Sequence, residues 1–453
     1  MFGLNNDLRS SVTGLVSGLA DYGFIIQRFL SGSDRPRLYS YGWDDNKLNN
    51  LEVFWMNLLS RLEKGLPPEE LEGLLAIKFA EFDFEVNRFP KKKQGSIANS
   101  SGSSVGSSVG SNSGGNSVLC GVCRGSRSDQ KGKNVDIHVQ MREAFAQSPL
   151  ASHLQPGAEQ LHVLFVCGST ISVPWEKSTK TTSRTNPSRI VVILPSTGEQ
   201  SYTDRIAVAK ALISREEYTI CLIVMAPYYA ERKPTTGPTQ RSFYARTVGD
   251  YQTQVAAISM EGAALLKWAN KEYPNAKLCV TGFSWGAGMA CGSAVLVSNA
   301  LPRGVCEKRL ALVPYVGCAS PVPYITGIYS MDIDFYALEK EKGGGRKRLM
   351  EIFTRSTWKA LIDSMKKSRS RNLFGSLVSV TMIHDKFVPY VDQRELHDLM
   401  GECTVNNVEN RRIITFGGGH AVAGLSTTTR QVDAVDTACN MLERAADYDD
   451  SEN

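Results

Sequence analysis

The amino-acid sequence predicts an α/β protein, a mostly parallel sheet with helices on both faces. Three observations predict it. Apolar, β-branched runs of strand length, such as 189–194 and 219–225, alternate with longer stretches of helical spacing, such as 204–213 and 246–270. The run 189–194 reads as a buried, β-branched strand. A further short run, 278–281, leads through Gly282-Phe283-Ser284-Trp285-Gly286 into small residues, which reads as a strand, a sharp turn and the start of a helix.

Taken in order, residues 1–90 predict a helical extension. Residues 51–62 and 70–82 carry apolar side chains near helical spacing, with Pro67-Pro68 between them. So few residues struggle to hold a core alone, so the extension is expected to pack on the main domain. Residues 91–134 open with three lysines and continue as Gly, Ser and Asn, a composition that cannot offset its ordering entropy and predicts a disordered linker. Residues 135–453 form the main domain. Its strands are expected at 159–166 (in a hairpin), 189–194, 219–225, 278–281, 310–316, 377–383 and 412–416, with a closing helix at 431–446. Residues 299–372, between the turn-bearing helix and the next strand, predict a cap.

The net charge of +5 is small for 453 residues and no aromatic residues interleave with basic ones, so nucleic acid is not an expected partner. The ten cysteines are scattered, several inside apolar runs (Cys221, Cys279), which is not a disulfide framework. Cys120-x-x-Cys123 lacks a second pair at zinc spacing, so no metal is expected, and no organic cofactor is implied. No run of about 18 apolar residues exists, and the first residues lack a basic stretch followed by an apolar one. The expectation is an intracellular protein, cytoplasmic or mitochondrial, with Asp7 and Asp21 counting against a mitochondrial presequence.

Gly-x-Ser-x-Gly between a strand and a helix is the pattern of a nucleophile elbow. The serine stands on a strained turn, and the flanking glycines let strand and helix pass closely. Ser284 is therefore the candidate nucleophile. A neutral serine needs a base oriented by a third group. Phe416-Gly-Gly-Gly-His420 follows a strand late in the chain, and its glycines let the loop turn back, so His420 is the candidate base over His138, His153, His162 and His397. Asp385 ends the strand 377–383 just before the Pro389 turn and is the candidate acid. Asp332, Asp334 and Asp363 follow no strand, and His384 beside Asp385 points the other way. A turn-capping role is the alternative for Asp385. For the oxyanion, backbone N–H donors are expected from Trp285 and from Thr197, or Ser196 next to it, in the loop after strand 189–194.

The residues also carry a resemblance. The chain resembles α/β-hydrolases and, more narrowly, the α/β-hydrolase domain-containing protein 18 family. The shared blocks are 172–176, 194–199, Pro227-Tyr228-Tyr229 with Arg232-Lys233-Pro234, 262–266, Thr281-Gly-Phe-Ser-Trp-Gly286, 326–329 with 337–339, Asp385-Lys-Phe-Val-Pro389 and Gly418-Gly-His420. They run from about 135 to the C-terminus. The resemblance implies the α/β-hydrolase fold and a triad on Ser284, Asp385 and His420. It departs at Ser196, where the family pattern has glycine, which implies a different oxyanion loop. Hydrolysis of an acyl ester, of a lipid above all, is the activity it suggests. A non-catalytic scaffold of the same fold and an acyltransferase with the same triad are the alternatives. Residues 346–371 alternate basic and apolar side chains. Packing of the apolar face on the body is the first expectation, and contact with an anionic membrane surface is the alternative.

Overall fold

A computed structural model describes residues 17, 19–22, 37–63, 73–75, 77, 139–168, 170, 171, 173, 185–234, 245–355, 373–405 and 408–450. The expected linker 91–134, with Cys120 and Cys123, lies outside them, as do His138 and the second half of the basic stretch 346–371.

The strands are β1 (Val139–Gln147), β2 (Gln160–Gly168), β3 (Arg189–Leu194), β4 (Thr219–Val224), β5 (Lys277–Phe283), β6 (Leu310–Tyr315), β7 (Ser376–Met382) and β8 (Arg411–Phe416). They form one eight-stranded sheet in the order β1-β2-β4-β3-β5-β6-β7-β8. β2 runs antiparallel to β1 and β4, and every pair from β4 through β8 is parallel. Every residue of β3, β4, β6 and β7 is buried, which explains why these runs do not alternate. Helices cover both faces. Val248–Glu272 packs with Trp285–Ala300, and Thr203–Arg215 packs with Thr427–Asp450. β5 lies at the centre, so whatever follows its carboxyl end sits at the middle of the sheet rim, where ligands bind in such folds.

The N-terminal extension is joined to this body. Helix Asp45–Glu63 packs on Val248–Glu272. Trp43 is fully buried, and its indole N–H donates to Leu338 O at 2.9 Å. Its backbone N–H donates to Glu341 at 2.8 Å, and the Arg348 guanidinium lies 4.4 Å over its ring. Leu38 exchanges backbone hydrogen bonds with Asp332 and Asp334, both 2.9 Å. The extension thus grips the insertion that follows β6.

That insertion is narrower than expected. Leu310–Tyr315 is a strand of the sheet, so the inserted part among the described residues is 316–355. It contains short helices at Val322–Thr326, Phe335–Lys342 and Gly345–Arg355. Gly343 and Gly344 adopt positive φ of 70° and 65°, and the Glu339 carboxylate accepts the N–H groups of Gly344 and Gly345 at 2.9 and 2.5 Å. This carboxylate fixes the turn. In Gly345–Arg355, Leu349 and Phe353 are fully buried, with the Phe353 ring stacked 5.3 Å from Tyr251.

Inside the body, Arg232 and Glu261 form a fully buried bidentate pair, two bonds of 2.8 Å. Arg232 also donates to the carbonyls of Ala158 and Met225, and Ser148 Oγ donates to Glu261 at 2.6 Å. Every donor of that guanidinium is engaged, which gives a physical reason for an arginine after Pro227-Tyr228-Tyr229. Removing one partner leaves a buried charge without compensation. Glu261→Ala is expected to lower unfolding free energy by about 3–5 kcal/mol in urea titrations. A loss below about 1 kcal/mol contradicts this account of the pair.

Candidate active site

Ser284 sits between β5 and helix Trp285–Ala300 with φ 57° and ψ −118°, a region that side chains other than glycine rarely occupy. The sequence builds this turn in three ways. A Cβ on Gly282 would collide with the carbonyl of Gly286, so strand and helix can cross only there. A Cβ on Gly286 would lie 2.5 Å from Pro195 O, so the loop after β3 passes directly over the turn. The Ser284 N–H donates to Tyr315 O at 2.8 Å, tying the turn to the end of β6.

Asp385 follows β7 in a tight turn. Its Oδ1 accepts the N–H groups of Phe387 and Val388, both at 2.8 Å, which orients the carboxylate. Its Oδ2 meets His420 Nδ1 at 2.8 Å. The turn-capping role and the pairing with histidine therefore coexist on its two oxygens. A proton on Nδ1 leaves the Nε2 lone pair free to act as base. The His420 ring lies between Phe283, 5.0 Å away, and Phe387, 4.8 Å away. Phe283 directly precedes Ser284, so histidine and serine share one corner of the sheet rim. Burial pushes the imidazole pKa down. The Asp385 carboxylate, by its charge and its hydrogen bond, together with the charge of Asp21, outweighs burial and raises the imidazole above its ordinary value.

The other histidines are placed elsewhere. His397 Nδ1 pairs with Ser379 Oγ at 2.9 Å, so it docks on β7 rather than standing on the surface. His162 packs edge-on to Phe145, and His153 packs on Phe54. Asp334 caps helix Phe335–Lys342 by accepting from Ala337 N–H at 3.0 Å. Asp363 lies outside the described residues.

For the oxyanion, Trp285 N–H stands at the first helical position, where no intrahelical acceptor exists. Ser196 N–H is engaged by the Glu199 carboxylate at 2.9 Å, and Arg205 holds that carboxylate at 2.8 Å. The hydroxyl of Thr197, the neighbour of Ser196, is buried. A third group comes from the insertion. The Tyr324 hydroxyl is buried, on a residue 7% exposed. Burial raises its pKa well above the ordinary value, and the nearby Thr197 and Ser284 hydroxyls offset this only in part, so Tyr324 stays a donor. Val316 leads into this segment at φ 58°, a strained position for a β-branched residue.

Sequence reasoning missed Tyr324 and did not bring Asp21 to the site. The signal for Tyr324 was adjacency to the 326–329 block. For Asp21, a single acid hundreds of residues away offered none. Ser284 opens on a cavity of about 20 Å³ lined by Tyr251, Val255, Trp285, Met289, Cys318 and Tyr324 among others. That is room for about one water molecule. Among the described residues, no group of three or more His, Cys, Asp or Glu is arranged to hold a metal ion, and no helix is long and apolar enough to cross a membrane.

With this geometry in hand, the chain matches the family model described as alpha/beta hydrolase domain containing 18 over residues 128–388. The match includes Ser284 and Asp385, and His420 lies beyond it. No curated protein matches the chain by sequence. Among solved structures, it is similar to acetyl xylan esterase 1 from Thermoanaerobacterium (12% identity, 68% of this chain and 88% of that one, TM-score 0.41). An esterase from Pyrobaculum calidifontis is similar at 13% identity (68% and 86%, TM-score 0.39). Oligopeptidase B from Leishmania major is similar at 12% identity over 67% of this chain, TM-score 0.39, and the match spans 37% of that longer protein.

The raised proton affinity of His420 fixes a sign for pH dependence. A base must be deprotonated to act, so the rate at which an active-site-directed fluorophosphonate labels the protein should rise with pH through a midpoint above about 6.5. Asp385→Asn should move that midpoint down. A wild-type midpoint clearly below the ordinary imidazole value contradicts the Asp385–His420 pairing.

Proposed function

The chain belongs to the alpha/beta hydrolase domain containing 18 family, and from that premise we propose that it is a serine hydrolase that cleaves a carboxylic ester through an acyl-enzyme. The supporting observation is the pairing of Asp385 with His420 at 2.8 Å beside a serine in a strained elbow. A turn-capping aspartate and a core histidine account for neither the strain nor the shared corner.

In this reading Ser284 Oγ attacks the ester carbonyl while His420 Nε2 takes its proton. Asp385 holds the ring in the right tautomer and stabilises the imidazolium. The oxyanion forms where the N–H groups of Trp285 and Thr197 and the Tyr324 hydroxyl converge. His420 then gives its proton to the departing alcohol. Water, deprotonated by the same imidazole, attacks the acyl-enzyme and restores Ser284. The apolar lining by Val255, Met289 and the aromatic rings suits an acyl chain, which supports a lipid ester as the finer assignment. The cavity is partly open to solvent.

Two substitutions test the roles. Ser284→Ala should abolish fluorophosphonate labelling and cut ester turnover by about 10⁵–10⁶-fold. Undiminished labelling of well-folded Ser284→Ala protein rules out the nucleophile. Tyr324→Phe removes one donor and should lower kcat by about 10²–10³-fold with KM little changed. A kcat within threefold of wild type rules out the hydroxyl as an oxyanion ligand.

A further inference from the structure

The segment around residue 21 reaches the site from the far end of the chain. Asp21 is completely buried, in a helical stretch whose neighbours Leu19 and Tyr22 are exposed. Its hydrogen-bond partners among the described residues are three backbone N–H groups. Oδ2 accepts from Lys386 and His420, each at 3.1 Å, and Oδ1 accepts from Ala421 at 2.8 Å. These donors lie 365, 399 and 400 residues away along the chain. Lys386 directly follows the acid Asp385, and His420 is the base itself. Gly419 passes so near that a Cβ there would stand 2.6 Å from Oδ2. The loops that carry acid and base are therefore bridged twice. Asp385 grips the imidazole, and Asp21 grips the backbone beneath both.

We propose that Asp21 is a positioning residue for the Ser284–Asp385–His420 set, tying the acid loop to the histidine loop, so that the N-terminal segment is a working part of the active site. This rests on the serine-hydrolase reading. Burial of a carboxylate is costly and raises its pKa, and the three N–H groups offset that cost, with the Asp385 charge opposing them. A carboxylate placed only for stability needs no particular loops. This one touches the two that carry acid and base. The charges of Asp385 and Asp21 both raise the proton affinity of the His420 ring, so Asp21 also favours the imidazolium formed during reaction.

The test compares full-length wild type with Asp21→Asn and Asp21→Ala. Hydrogen exchange of peptides covering 384–389 and 418–423 reads the tie without any substrate, and fluorophosphonate labelling reads its effect on Ser284. Both variants should exchange faster in both loops while still folding and melting in one cooperative transition. Their labelling rate should fall about tenfold to a hundredfold, and its pH midpoint should move down. Labelling within twofold of wild type, unchanged exchange in either loop, or loss of folding in both variants overturns the proposal. Wild-type protein that never labels, with loops that still loosen in the variants, overturns the enzymatic reading and leaves the tie between the loops standing.

Discussion

A serine held at φ 57° and ψ −118° costs about 1–3 kcal/mol for as long as the chain is folded, and the surrounding structure exists in large part to hold it there. Gly282 and Gly286 let β5 and its helix cross without a Cβ between them. The loop after β3 lies over Gly286, and Tyr315 O takes the serine's N–H. The same three contacts set the chemistry. They bring the loop after β3, through Pro195, against the turn. They also bring the end of β6, and the insertion it leads into, against Ser284.

The insertion is more than a cover. Tyr324 places a donor hydroxyl near Ser284 and Thr197, while Trp43 and Leu38 of the N-terminal extension anchor the other end of the insertion. Phe353 and Leu349 bury their side chains against the body. The extension thus holds the site from two sides, at the insertion through Trp43 and at the acid and histidine loops through Asp21.

Much of this was legible in the sequence because it is local. The elbow, the strand before it and the aspartate turn at Pro389 each declare themselves within a few residues, and strand limits such as 189–194 follow from continuous apolar runs. What was not legible is long-range. Asp21 looked only like an acid that argues against a targeting segment, because nothing near it reveals that its carboxylate reaches residues 386, 420 and 421. The expected cap began too early, because 310–315 is an apolar run like the other strands but was placed inside the cap as well as in the sheet. Nor was it legible that the carboxylate of Glu199, three residues away, takes the Ser196 N–H. Tyr324 is one of sixteen tyrosines, and only the fold brings its hydroxyl near Ser284.

Acylation of Ser284, with His420 as its base, is the step on which the enzymatic reading turns. Intact-protein and peptide mass spectrometry after brief exposure to an activated ester tests it most directly. The account predicts one added acyl group, located on the peptide that carries Ser284, formed by wild type and lost in His420→Ala. An unmodified Ser284 in folded wild-type protein, or equal acylation without His420, contradicts it.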